Sequence, residues 1–189
     1  MLISVLNGQR KEGFTMNSNQ TEASVRKLIG LCKEQKKTIG SCESLTAGLF
    51  CSSIASVPGA SAILAGGLVT YMSFEKVRIA HVDPEIIERF GVISSNCAAD
   101  MAKKSREVLD CDYCVSFTGN AGPDAMENKP AGLCYCAIAS RHDLEVFEFS
   151  LQENRNDLRM HLVDLMLKNL IDFIQRDRNG QKDCSCSED

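Results

Sequence analysis

The chain has 189 residues, 44% of them hydrophobic, which suits one globular domain with a real core and leaves little room for a second. A net charge of −4 and a pI near 5.5 argue against general nucleic-acid or anionic-membrane binding, while leaving room for a local basic pocket. No stretch has the length of an apolar membrane span and no secretory leader is apparent, so a cytoplasmic protein is expected.

Residues 1–16 show no sustained period, and 1–20 are expected to be a disordered or non-native extension. Lys11-Glu12-Gly13 can be encoded by a purine-rich run of the start-site kind, which makes Met16 a candidate start. From Thr21 to Gln35 the apolar residues Val25, Leu28, Ile29 and Cys32 recur at helical spacing. Thr38–Cys42 then reads as a buried strand, broken at Glu43-Ser44 before a helix expected over Leu45–Ser56. Ser44 at such a junction is open to two readings: an N-cap, or a nucleophile whose oxyanion the first helical amides would hold.

Gly66–Tyr71 reads as a second strand, in which the glycine pair allows either close ligand approach or a tight crossing. A helix over Met72–Ala80 with Ser73 as cap follows, then one opened by Asp83-Pro84 and closed by Gly91, then one introduced by Ser94-Ser95. Tyr113–Phe117 is a third strand, ending in Thr118-Gly119-Asn120-Ala121-Gly122-Pro123, a composition that can present backbone amides to a ligand or make an ordinary turn. Leu133–Ala139 and Leu144–Leu151 form a hairpin, and Leu158, Leu162, Leu165, Met166, Leu170 and Phe173 mark a terminal helix over 155–175. Residues 176–189 are expected to be a disordered tail. The alternation gives an α/β fold: a three-layer α/β/α sandwich with a mixed sheet of about five strands.

Ten cysteines are scattered mostly through apolar elements, where a free thiol acts as a small hydrophobe. Neither Cys111-x-x-Cys114 nor Cys184-x-Cys186 has the partners of a zinc site, so no metal and no cofactor is expected.

Three candidate groups lie at expected strand ends, where open α/β sheets bind ligands: Ser44, the segment Tyr71–Lys76, and the Thr118 loop. The histidines, His81, His142 and His161, are poorly placed to serve Ser44 as a base. A lysine kept neutral by desolvation can do that work, and Lys76 with Tyr71 offers an amine beside a hydroxyl. Ser73-Phe74-Glu75-Lys76 also matches the S-x-x-K pattern of serine-lysine acylases, but the companion motifs are missing.

These motifs, in order, resemble the CinA C-terminal domain family, which includes the stand-alone nicotinamide mononucleotide amidases. The resemblance covers about residues 21–175 and rests on Glu43-Ser44-Leu45-Thr46-Ala47-Gly48, Val57-Pro58-Gly59-Ala60-Ser61, Gly66-Gly67 with Tyr71 and Lys76, Gly91-Val92-Ile93-Ser94, Thr118 to Pro123, Lys129-Pro130-Ala131-Gly132 and Arg155-x3-Arg159. It implies hydrolysis of the carboxamide of nicotinamide mononucleotide to the acid and ammonia. Ser44 would be the nucleophile, and Lys76 and Tyr71 would activate it. The Leu45 and Thr46 amides would hold the oxyanion, and Gly66, Gly67, Thr118, Gly119 and Asn120 would line the nucleotide pocket. Arg155 or Arg159 would meet the phosphate. A homodimer or larger homo-oligomer is implied, with a small-molecule nucleotide as substrate and no nucleic-acid or membrane partner. A second reading is a weakly active or inactive binding protein of the competence and DNA-damage context. Two departures from the family stand out. Leu45 and Ala47 replace the Cys and first Gly of the usual Glu-Ser-Cys-Thr-Gly-Gly, with Ala47 expected to sit in a helix, and Asp124–Asn128 replaces a glycine-rich stretch.

Overall fold

A strand buried on both faces needs partners at both edges and helices on both sides, and Ile39–Glu43 (β2) is buried at every position. The computed structural model describes residues 3–5 and 18–184, with side chains over 19–177, and places β2 inside a mixed sheet. Leu64–Val69 (β3) and Tyr113–Gly119 (β4) pair with it in parallel. Leu133–Ala139 (β5) runs antiparallel to β4, and Leu144–Ser150 (β6) antiparallel to β5, so the expected hairpin is present. Ile3–Val5 (β1) adds a short parallel edge to β6, making a sheet of six strands in the order β1-β6-β5-β4-β2-β3, one more than the sequence suggested. The remainder of the stretch before Ser18, with Met16, lies outside the described residues.

Helices Ser18–Gln35 (α1), Leu49–Ala55 (α2) and Arg155–Cys184 (α6) cover one face, where Val25, Phe50, Leu162 and Met166 share a core with Ile39, Val115 and Phe117. The short helices Ser73–Arg78 (α3) and Pro84–Phe90 (α4) and the longer Ser95–Val108 (α5) lie beyond the other face, where small residues let α5 approach closely: Ala98 and Ala102 pack on Ala137 and Ala139. Asp83 Oδ1 accepts from the Glu85 N–H and Ser94 Oγ from the Cys97 N–H, the caps expected for α4 and α5. Ser73, by contrast, is the first helical residue of α3 rather than its cap, which is Met72. α6 continues past the expected end at 175 to Cys184, and Asp177 on it accepts a 2.8 Å bond from the Tyr113 hydroxyl. Its first turn therefore lies at the carboxyl end of the parallel strands and its later turns at the amino end.

All eight cysteines with described side chains are free thiols. Burial pushes Cys97 and Cys134 up to about 12, as suits inert packing groups. Cys186 lies outside the described residues.

Gly67 shows how tightly β3 meets α2. A Cβ there would fall 2.4 Å from Cys51 Sγ and 2.8 Å from Ser41 Oγ. Gly67→Ala is therefore expected to destabilise the fold by about 1–3 kcal/mol, read as a lower midpoint of chemical unfolding.

Candidate active site

Ser44 follows the last residue of β2 and is held to the neighbouring strand, its N–H donating to Phe117 C=O at 3.0 Å. The expected helix does not begin at Leu45. Residues 45–48 form a turn, closed by bonds from Ala47 N–H to Ser44 C=O and from Leu49 N–H to Thr46 C=O, both 3.1 Å. Ala47 (φ 51°) and Gly48 (φ 90°) are left-handed, and Gly48 is the N-cap of α2. Ser44 is thus not a helix cap. Ala47, expected in a helix, instead occupies the conformation that glycine adopts without steric cost, where the family's usual residue is glycine.

Glu43, which sequence reasoning passed over, explains the displaced helix start. It is 1% exposed, and its carboxylate accepts from Ser41 Oγ (2.9 Å) and from the N–H groups of Gly48 (2.9 Å), Phe50 (3.1 Å) and Cys51 (3.1 Å). Those are the amides a helix start would otherwise offer an anion, so the α2 terminus is already filled from behind. The Leu45 and Thr46 N–H groups, in contrast, have no acceptor among the described residues, and the buried Thr46 hydroxyl has no partner either. The signal for Glu43 was available: a charged residue ending a fully buried strand demands partners.

Lys76 reaches Ser44 from α3. Its Nζ lies 3.1 Å from Ser44 Oγ and donates to Thr70 C=O at 2.8 Å, and the residue is 1% exposed. Thr70, expected in the second strand, lies just past the end of β3 at Val69, with its carbonyl held by Lys76. Desolvation lowers the Lys76 pKa, outweighing the opposite pull of Cys97, Cys42 and Glu127. Ser73 of the rival S-x-x-K pattern is exposed while Lys76 is buried against Ser44, so the serine that meets the amine lies 32 residues earlier.

The other expected site residues divide. Tyr71 is 53% exposed, and its hydroxyl accepts a 2.6 Å bond from Arg155 Nη2 instead of meeting Lys76. Arg155 Nη1 also donates to Gly122 C=O at 2.8 Å, so this arginine bridges the β3 and β4 ends. Arg159 donates to the Leu45 and Thr46 carbonyls. Gly66 and Gly67 pair with Gly40 and Ser41, back along the sheet from Ser44, and serve packing; the structure does not bring them to the site. Thr118 and Asn120 flank Ser44 by strand order, but their side chains hold the loop itself: Thr118 Oγ1 donates to Val92 C=O, and Asn120 Nδ2 to Lys129 C=O. Gly119 is required by close contact, since a Cβ would lie 2.7 Å from Cys134 Cα.

A cavity of about 290 Å³ opens beside this end of the sheet, lined by Gly122, Pro123, Gly132, Leu151, Asn154 and Arg155. A second of about 340 Å³ lies at the opposite end, among Arg106, Asp112, Tyr113 and His142, far from the Ser44–Lys76 pair. The loop over 124–128 is anchored by Glu127, whose carboxylate accepts from the Val92 and Ile93 amides and pairs with Lys129. Desolvation would raise the Glu127 pKa, but these bonds prevail and lower it. Among the described residues, no group of three His, Cys, Asp or Glu side chains is placed to hold a metal, and no helix is long and apolar enough to cross a membrane.

A model of the CinA C-terminal domain matches residues 21–174. The chain belongs to that family. A protein of Listeria monocytogenes serovar 1/2a named for competence-damage induction is 40% identical over 144 residues, covering 75% of this chain and 35% of that protein. A similarly named protein of Geobacillus is 37% identical over 140 residues, covering 74% of this chain and 34% of its own length. The chain thus spans about a third of the curated relatives it matches. Among solved structures, the competence/damage inducible protein CihA of Agrobacterium tumefaciens superposes with a TM-score of 0.79 at 27% identity, covering 84% of this chain and 98% of that one. A CinA superfamily protein from Enterobacter cloacae shares the fold, with a TM-score of 0.80 at 22% identity, over 88% and 99% of the two chains.

Two substitutions test the turn. Ala47→Gly removes the left-handed alanine and is expected to stabilise by about 1 kcal/mol, seen as a higher unfolding midpoint. Glu43→Gln sets an amide NH2 against N–H donors and is expected to cost about 1–3 kcal/mol by the same measurement.

Proposed function

We propose that this CinA-family domain is a metal-independent amidohydrolase that converts nicotinamide mononucleotide to the acid and ammonia. One observation carries the reading: a fully buried lysine amine, with its pKa lowered, lies 3.1 Å from the hydroxyl of a partly buried serine at a strand end. Ser44 Oγ attacks the carboxamide carbon while Lys76 Nζ takes the hydroxyl proton. The carbonyl oxygen becomes an oxyanion held by the Leu45 and Thr46 N–H groups. Lys76 returns the proton to the departing nitrogen, ammonia leaves, and a water activated by the same amine cleaves the Ser44 ester, releasing the acid and restoring the serine.

Arg155 is the better of the two arginines for the phosphate, because it lines the cavity at this end and its partners are a phenol and one carbonyl. Tyr71 then acts by holding the Arg155 guanidinium in place. The exposed edge strand β3, with Val69, Met72 and Phe74 also exposed, would provide the face for pairing of two copies.

Purified protein incubated with nicotinamide mononucleotide is expected to release ammonia, and Ser44→Ala to lower the rate by about three orders of magnitude or more. No release by the wild type would favour the binding-protein reading; undiminished release by Ser44→Ala would remove the nucleophile. Because only neutral Lys76 accepts the proton, the rate should rise with pH and level off above the depressed lysine pKa. Lys76→Arg, whose guanidinium stays charged, should be nearly inactive across that range.

A further inference from the structure

Arg159 sits one helical turn beyond Arg155, yet its guanidinium is already committed. Nε donates to the Leu45 carbonyl and Nη2 to the Thr46 carbonyl, both at 2.8 Å, while Nη1 lies 3.4 Å from Asn156 Oδ1. These successive carbonyls belong to the turn that follows Ser44, and a rigid planar fork is suited to holding two such acceptors at once. Peptide geometry extends the effect. In a trans peptide the N–H is directed opposite to its C=O, so drawing the Leu45 carbonyl toward α6 turns the Thr46 N–H away from α6. The Thr46 carbonyl is fixed from two sides, by Arg159 and by the Leu49 N–H; its peptide carries the Ala47 N–H, which donates to the Ser44 carbonyl, and that carbonyl shares its peptide with the Leu45 N–H. What remains without an acceptor among the described residues is the pair of amides, Leu45 and Thr46, beside Ser44. A charged donor on a carbonyl also polarises the N–H of the same peptide, making it a stronger donor.

We propose that Arg159 is a positioning residue for hydrolysis: through the Leu45 carbonyl it holds the Thr46 N–H, and through the Thr46 carbonyl and the Ala47 N–H it steadies the Leu45 N–H, so that both stay aimed at the oxyanion formed at Ser44. The proposal rests on the reading of Ser44 as nucleophile and gives Arg159 a role other than phosphate binding. It places the orientation of the oxyanion donors under the control of α6, an element 114 residues away in sequence.

The test compares wild type, Arg159→Met and Arg159→Lys on nicotinamide mononucleotide, on its nucleoside nicotinamide riboside, and on p-nitrophenyl acetate, an activated ester that needs only a nucleophile and an oxyanion site. Both variants are expected to lose about 10- to 100-fold in kcat on the nucleotide and in the rate of Ser44 acylation by the ester. KM should stay within about threefold, with the wild-type pH profile, since Lys76 is untouched, and an unchanged preference for nucleotide over nucleoside. Should Arg159→Met fail to fold, Arg159→Lys, which keeps the charge without the fork, gives the same readings. Full kcat in either folded variant overturns the proposal. So does a raised KM with a collapsed preference for the nucleotide and normal ester acylation, which would make Arg159 a phosphate ligand. A wild type acylated at Ser44 by the ester but inert toward the nucleotide overturns the amidase reading alone, and the ester arm still decides the role of Arg159. A wild type acylated by neither overturns both.

Discussion

A lysine amine withdrawn from water, and hydrogen-bonded among the described residues only to a hydroxyl and a carbonyl, is the constraint around which this end of the molecule is built. An ammonium ion there has no carboxylate hydrogen-bonded to it among the described residues, and desolvation lowers the lysine pKa despite the more distant pull of Glu127. The surroundings have distant origins. β2 supplies Ser44, the residue after β3 supplies the carbonyl, α3 supplies the amine, and Cys97 near the start of α5 lies close enough to influence its charge. The parallel β3-β2-β4 arrangement brings these ends together, which is the reason sites collect at this edge of open α/β sheets.

The second organising element is α6. Its apolar stripe seals one face of the sheet, and its first turns present two arginines to segments that would otherwise be loosely tied. Arg155 joins Tyr71 to the Gly122 loop, and Arg159 joins the turn after Ser44 to the helix. Packing of Leu158, Leu162 and Met166, all fully buried, is therefore transmitted to the loops of the candidate site through side chains one turn away. Core and site are mechanically continuous here.

Much of this could be read from the amino acids. Periodicity located α1, α5 and α6; the caps Asp83 and Ser94 marked helix starts; and alternation of helices and strands led to the layered sheet. The Ser44–Lys76 pairing was also legible, because a serine without a suitable histidine needs another base and Lys76 followed the neighbouring strand. What could not be read was where the long side chains end. Tyr71 lies five residues before Lys76, yet its hydroxyl turns to Arg155, because Tyr71 is exposed while Lys76 is buried. Gly66 and Gly67 carry no mark that separates ligand approach from tight packing, and only their neighbours, Leu109 beside Gly66 and Cys51 beside Gly67, decide it. Local propensity also misplaced the start of α2: Leu45, Thr46 and Ala47 are compatible with a helix, but the buried carboxylate of Glu43 binds amides further along and moves the first turn to Leu49.

That carboxylate gives the site an electrostatic character of its own. With the positive end of α2 occupied from inside, that helix terminus adds little attraction for negative charge before Ser44; what stands there without an acceptor among the described residues is two N–H groups that reward a short, well-directed bond. An alkoxide forming at bonding distance, with its charge on one oxygen, gains more from such donors than a carboxylate whose charge is spread over two. On the hydrolytic reading, Glu43 therefore leaves the α2 terminus out of holding the acid at the position where it is made.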